Sequence, residues 1–206
     1  ADRIVLTAQP VPSGLTRPGA RDVPLIHFTA LNSYTVARVL SSLTITNQTT
    51  GAGTPAQRDN AVTQLKLRFD GNGDGQLGDV ATDPLLGTGY FRDGLATFSG
   101  LAWSIGPAVS VGLFVTADVS AQAAADADIM GATILNNSAV AFSVITSVAA
   151  SWPLDSRVRW TIDDRFALVH DLAVVRRHVL VLRNQVLVRD AVEVGDDQPL
   201  LALRVL

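Results

Sequence analysis

Short runs of alternating apolar and polar residues cover most of the chain, and Gly, Pro, Asn and Asp clusters separate them. The runs are rich in Val, Ile, Thr and Phe, which is typical of β-strands. Strands are predicted over 3–9, 23–31, 35–47, 61–69, 95–105, 109–120, 132–137 and 140–148. Short strands joined by frequent turns predict an all-β protein with an antiparallel β-sandwich.

The run AVTQLKLRF (61–69) illustrates the alternation that a half-buried strand requires. It predicts one largely polar face and one largely apolar face: Val62, Gln64, Lys66 and Arg68 against Thr63, Leu65, Leu67 and Phe69. The one helix-like run is SAQAAADADIM (120–130), which predicts a short helix or turn.

The pattern changes after SWPLDS (151–156), where long apolar strands with few turn residues begin. We therefore predict a β-sandwich module over 1–156 and a C-terminal β segment over 157–206. PGARDVPLIHF (18–28) weakly resembles VGDDQPLLAL (194–203), as expected of a modular array. Two strands bury too little apolar surface alone. The segment is thus either the start of a second repeat or a set of donor strands for a neighbour's sheet.

The amino-acid composition excludes several classes of function. With 48% hydrophobic and 17% charged residues among 206, the chain is expected to fold around a well-packed core. A net charge of −3 and a pI near 5.5 argue against nucleic acid, which requires a basic surface. The absence of Cys excludes disulfides, zinc–thiolate sites and thiol nucleophiles. No apolar run is long enough to predict a membrane span.

The segment DGNGDGQLGD (70–79) carries the clearest candidate chemistry. Side-chain oxygens at alternate positions followed by Gly form the first half of an EF-hand-type loop, in which the seventh position offers a backbone carbonyl. Hard oxygen ligands in this pattern favour Ca²⁺. The predicted ligands are Asp70, Asn72, Asp74 and the Gln76 carbonyl.

The twelfth position of this loop is Ala81, so the usual closing Glu is missing. Asp79 and Asp83 lie on either side of it, and either one is a candidate for closing the shell. The alternative is a glycine-rich hairpin whose Asp and Asn residues only form local turns. Against it, an unneutralised group of carboxylates would repel itself.

These residues also resemble a known group of modules. LKLRFDGNGDGQLGD…DPLLGTGYF (65–91), LATFSGLAWSI (95–105) and VGLFVTADVS (111–120) are similar to calcium-loop-bearing Ig-like or cohesin-like β-sandwich modules of secreted bacterial surface proteins. The resemblance covers about 3–150 and implies an extracellular, non-enzymatic, structural or adhesive role. The spacing between Asp74 and Asp83 departs from the pattern. Because the loop joins strands, dockerin-style helical pairing does not carry over.

Catalytic motifs are scarce. His27 lies in an apolar strand, and His170 and His178 lie in another run at a spacing unlike a metal-ligand pair, so core or surface histidines are predicted. Asp163 and Asp164 are adjacent, and a turn is a better interpretation than an acid–base pair. We predict that the protein is not an enzyme.

Three tryptophans could form a platform on which a carbohydrate stacks, but the preferred interpretation places them in the core or at its edge. They are Trp103, Trp152 and Trp160.

The sequence therefore predicts an extracellular or cell-surface structural module, a subunit of a fibre or modular array that Ca²⁺ stabilises. Its predicted partners are other copies or neighbouring modules in a head-to-tail polymer, joined by strands from about 179–206. The alternative is a carbohydrate- or protein-binding adhesion module of a larger secreted protein.

Overall fold

The computed structural model describes residues 2–78, 81–157 and 159–165. The described residues up to Asp164 form one compact unit. The predicted module 1–156 lies inside this unit, which continues through a further strand beyond Ser156. Most of the predicted C-terminal segment 157–206 lies outside the described residues, so its role stays a prediction.

The described part of the chain is built mainly of β-strands. These are β1 (Ile4–Gln9), β2 (Gly14–Thr16), β3 (Val23–Asn32), β4 (Arg38–Asn47), β5 (Val62–Asp70), β6 (Leu85–Gly89), β7 (Leu95–Phe98), β8 (Trp103–Ile105), β9 (Ser110–Val119), β10 (Ile129–Met130), β11 (Ala132–Thr133), β12 (Val140–Phe142), β13 (Val148–Ala149) and β14 (Trp160–Ile162). Within the described residues, the α-helix α1 (Pro55–Asn60) lies between β4 and β5.

The strands form two larger sheets and one small sheet. The six-stranded sheet has the order β13-β1-β3-β9-β5-β6. The five-stranded sheet is centred on β4, which pairs β11 and β12 as well as β7 and β8. The small sheet has the order β10-β14-β2. Pairing is antiparallel except for β1 with β13 and β2 with β14.

Apolar side chains from the two larger sheets meet in one core. Ile4, Phe28, Leu65 and Val115 come from the six-stranded sheet, and Ile45 and Phe98 among others come from the β4 sheet. This arrangement confirms the predicted all-β, sandwich-like fold. It places the 70–83 loop at one end of β5, next to the edge strand β6.

The short helix or turn predicted at 120–130 is a set of turns followed by β10, so the turn alternative is correct. The sequence did not predict α1, which begins at Pro55, where Thr54 and Gln57 form a capping box. The alternation of buried and exposed residues predicted for β5 is wrong at the start of the strand. A bulge between Val62 and Gln64 buries Val62 in the core and leaves Thr63 exposed.

The polar face of β5 is joined to its neighbours by ion pairs. The Asp22 carboxylate accepts hydrogen bonds from Lys66 Nζ at 3.2 Å and from Arg68 Nη2 at 2.9 Å. Lys66 Nζ also donates to Asp118 at 2.8 Å. Burial raises the pKa of Asp22, but hydrogen bonds and charge from Arg68 and Lys66 together bring it below its ordinary value. The network links the start of β3 to β5 and β9.

Candidate metal centre

The loop begins at Asp70, the last residue of β5, whose side chain is buried. Asp70 Oδ1 accepts from the Gly73 N–H at 2.8 Å, and Oδ2 accepts from the Gly75 N–H at 3.0 Å. Both glycines have left-handed backbones, with φ near +72° and +71°. Only Gly adopts this conformation without strain, so the sequence folds the loop back over the Asp70 carboxylate.

The neighbouring strand has no side chain at the position opposite Asp70, and this leaves room for the carboxylate. Asp70 pairs with Gly112 of β9, and a Cβ atom at residue 112 would lie 2.8 Å from both Cβ and Oδ2 of Asp70. Any side chain at 112 would therefore displace the first predicted ligand.

Asn72 and Asp74 stabilise the exposed tip of the loop. Asn72 Oδ1 accepts from the Asp74 N–H at 3.2 Å, and Asp74 Oδ1 accepts from the Gln76 N–H at 2.7 Å. Each is a side-chain turn of the type that Asx residues form. Asn72 Nδ2 also donates to Asp74 Oδ2 at 2.8 Å, so the structure brings these two predicted ligands into contact.

The chain returns to β5 at Asp83, which is fully buried at 0% exposure. The Gly71 N–H donates to the Thr82 carbonyl at 3.0 Å, and Arg68 Nη1 donates to the Asp83 carbonyl at 3.1 Å. Asp83 Oδ2 accepts from the Gly78 N–H. Asp83 Oδ1 has no hydrogen-bond partner in the described chain. Asp79 lies outside the described residues.

His27 lies close to this loop. The residue is 5% exposed, and its ring stacks on Phe114 with ring centroids 4.1 Å apart. Within the described residues, neither ring nitrogen has a hydrogen bond of normal geometry. Burial lowers the pKa of His27 below its ordinary value, opposed by the Pro10 carbonyl and the charges of Asp70 and Asp83. The prediction of a core histidine is confirmed here, whereas His170 and His178 lie outside the described residues.

A second group of acidic residues forms where β14 ends. Oxygen atoms of Asp126, Asp163 and Asp164 lie within 4.8 Å of one another, whereas Asp70, Asp74 and Asp83 are not gathered that closely. Asp163 directly follows β14 and Asp164 begins a turn, as predicted. Sequence reasoning missed this group because its members meet through the fold, 37 residues apart between Asp126 and Asp163.

The described donors of the 70–83 loop are oxygens, the ligand type that a hard divalent cation prefers, although the carboxylates of Asp70, Asp74 and Asp83 do not meet within 4.8 Å of one another. Each of the described carboxylates of the loop, Asp70, Asp74 and Asp83, accepts one or two N–H donors from the described residues, and a carboxylate has about four lone-pair sites. Among the described residues, Oδ1 of the fully buried Asp83 is the carboxylate oxygen of this loop that lacks a hydrogen-bond partner while shielded from water.

The three tryptophans lie at the margin of the core. Each is partly buried and packs against the core. Trp103 contacts Phe69 with ring centroids 5.0 Å apart, and Trp160 Nε1 donates to the Pro24 carbonyl at 2.8 Å. The preferred interpretation of these aromatics is therefore confirmed.

Comparison with known proteins gave no match, either to a protein-family model or to a curated protein. Within the described chain, no helix is long and apolar enough to cross a membrane.

Proposed function

We propose that the protein is a β-sandwich structural module of the cell exterior, stabilised by Ca²⁺ at the 70–83 loop and used in a surface fibre or modular array. The observation that carries the calcium proposal is the fully buried Asp83 carboxylate beside an Asp-rich loop, with one oxygen that has no partner among the described residues. Leaving a charge buried and unpaired is costly, and a bound cation removes that cost.

The proposed donors are all oxygens, which suits Ca²⁺ because it takes about six to eight oxygen ligands at roughly 2.3–2.6 Å. They are the side chains of Asp70, Asn72 and Asp74, the Gln76 carbonyl and a closing carboxylate from Asp79 or Asp83. The Asn72 amide must rotate for its oxygen to face the ion, because its Nδ2 now donates to Asp74. Sites in extracellular modules bind Ca²⁺ weakly, at about 10⁻⁴ to 10⁻³ M, which suits an exposed loop of this kind.

Calcium would act on stability rather than on chemistry. Binding to the folded state alone adds RT ln(1 + [L]/Kd), about 2.7 kcal/mol at a hundredfold excess over Kd. The candidate base nearest the loop, His27, is buried against Phe114. That packing supports a non-enzymatic role.

A strand edge that the described residues leave partly unpaired supports assembly through strands. Within the described chain, β1 pairs β13 on its outer side only at Ile4 and Val5, while Thr7 and Ala8 are exposed. An open strand edge is a template for pairing with another chain. We propose that a strand from a neighbouring copy adds to this edge. The predicted donor, about 179–206, lies outside the described residues.

A groove favours the adhesion alternative. It has a volume of about 730 Å³ beside β1, and its walls combine Trp152 with polar side chains such as Arg3, Asp155 and Arg157. An aromatic face together with hydrogen-bonding groups is suited to a sugar ring or a peptide. Binding in a glycan array, lost in Trp152→Ala, would support this second function.

Differential scanning calorimetry of the full chain in Ca²⁺ and in EGTA tests the calcium proposal. We expect the wild type to melt higher in Ca²⁺, and Asp74→Asn to reduce that increase because it removes an exposed ligand. Asp126→Asn, in the other acidic group, is the matched control and should keep the full increase. Equal melting of the wild type in Ca²⁺ and EGTA, or loss of the increase only in Asp126→Asn, would contradict the proposal.

A further inference from the structure

We infer that Asp83, rather than Asp79, closes the calcium shell, and that it does so through Oδ1. The inference rests on the proposed calcium function and resolves the one ligand that the sequence leaves open.

The burial of Asp83 supplies the first argument. Its side chain has 0% exposure, and Oδ1 has no hydrogen-bond partner among the described residues. Buried polar atoms are nearly always paired, and an unpaired buried charge is costlier still. A ligand role gives this oxygen the partner that the surrounding protein groups do not supply.

The direction of the carboxylate supplies the second argument. Asp83 Oδ2 accepts from the N–H of Gly78, a residue of the loop itself, so this hydrogen bond holds the carboxylate against the loop. At the other end, Asp70 accepts from Gly73 and Gly75. One buried carboxylate therefore holds each end of the loop, and Asp74 lies on the segment between them.

The backbone around Asp83 supplies the third argument, because a useful ligand must be held in place before the ion arrives. The Phe69 N–H donates to the Pro84 carbonyl at 3.0 Å, and the Gly71 N–H donates to the Thr82 carbonyl at 3.0 Å. Arg68 Nη1 donates to the carbonyl of Asp83 itself. Three hydrogen bonds thus fix Asp83 against the end of β5, where Asp70 begins the loop.

This assignment makes the site different from an EF-hand loop, which supplies its ligands from one continuous segment of 12 residues. Here the ion would join Asp70, at the end of β5, to Asp83, two residues before β6 begins at Leu85. Calcium would therefore stabilise the pairing of the edge strand β6 with β5, as well as the loop.

Calorimetric titration of the full chain with CaCl₂ compares the wild type, Asp83→Asn and Asp79→Asn. We expect Asp83→Asn to weaken Ca²⁺ binding by at least about 10- to 100-fold. Mutation of a residue that only holds a metal ligand in place already weakens binding by this amount. Asp79→Asn changes the charge of the loop by the same amount, so it is the matched control and should change Kd only slightly.

Melting in EGTA is the second measurement. It separates loss of a calcium ligand from damage to the fold, because either effect of Asp83→Asn would weaken Ca²⁺ binding. Asn keeps an oxygen for the Gly78 N–H and removes an unpaired buried charge, while its amide adds buried N–H donors, so this variant should melt close to the wild type without calcium. A much lower melting temperature in EGTA would assign Asp83 a structural role and overturn the inference.

The outcomes separate the two proposals. Wild-type binding that Asp83→Asn leaves unchanged, or that Asp79→Asn weakens more, overturns the inference while the calcium function stands. Absence of Ca²⁺ binding to the wild type overturns both.

Discussion

The buried ring of His27 sets a residue-scale test of pH dependence. Its pKa in the folded chain is lowered from 6.5 by burial, so the unfolded chain binds the proton more tightly. The resulting stability is fully present above about pH 6.5 and is lost as the pH falls toward the folded pKa. In EGTA, the wild type should lose more thermal stability between about pH 7.5 and 5.5 than His27→Phe, which keeps the stack on Phe114. Equal losses in the two proteins would contradict this prediction.

Gly112 sets a second test at this scale. A Cβ at this position meets Asp70 at 2.8 Å, closer than side chains pack, so Gly112→Ala must shift the first ligand. We expect weaker Ca²⁺ binding and a destabilisation of about 1–3 kcal/mol, as overpacking usually produces. Ser110→Ala, at an exposed position of the same strand, should change neither quantity. Unaltered calcium binding in Gly112→Ala would show that Asp70 is not a ligand.

At the scale of the elements, the ion pairs of Asp22 connect β3, β5 and β9. Asp22→Ala leaves Arg68, whose side chain is 8% exposed, without its carboxylate partner. Removing one partner of a fully buried pair costs about 3–5 kcal/mol. Because Asp22 itself is 35% exposed, solvent reduces the loss, and we expect about 2 kcal/mol by urea denaturation. Asp155→Ala in the more exposed pair with Arg159 should cost less than about 1 kcal/mol, and a similar cost for both would contradict the argument.

The elements also show which features the sequence pattern can predict. Long alternating strands such as β3, β5 and β9 carry their own periodicity, and each was predicted within two residues. The edge strand β6 was not predicted, because Gly87 and Gly89 interrupt its pattern and pairing with β5 supplies the missing stability. The capping box of α1 contains a recognisable signal in Thr54, Pro55 and Gln57, but the helix is too short for periodicity to reveal it.

Some residues of the candidate site could be predicted from the sequence and others could not. Asp70, Asn72 and Asp74 were predictable because their chemistry lies in one short segment with a known spacing. The choice between Asp79 and Asp83 could not be predicted from the sequence. The burial of Asp83, and the lack of a described partner for its Oδ1, depend on how the chain returns to β5. The group of Asp126, Asp163 and Asp164 depends wholly on long-range contacts.

At the scale of the whole molecule, assembly is the feature to test. β14 pairs β2 and β10, so a truncation intended to preserve the sandwich must keep residues up to Asp164 rather than end at Ser156. We expect the chain ending at Asp164 to fold and remain monomeric in size-exclusion chromatography with light scattering, while the full chain assembles. Polymerisation of the truncated chain would contradict assembly through donor strands from 179–206.

The most direct test of the calcium site is a crystal structure of the full chain grown in CaCl₂. We predict one ion within about 2.3–2.6 Å of oxygens from Asp70, Asn72, Asp74, the Gln76 carbonyl and Asp83. Asp83 Oδ1 should be among those ligands. An ordered 70–83 loop without an ion, or calcium bound only at Asp126, Asp163 and Asp164, would contradict the account.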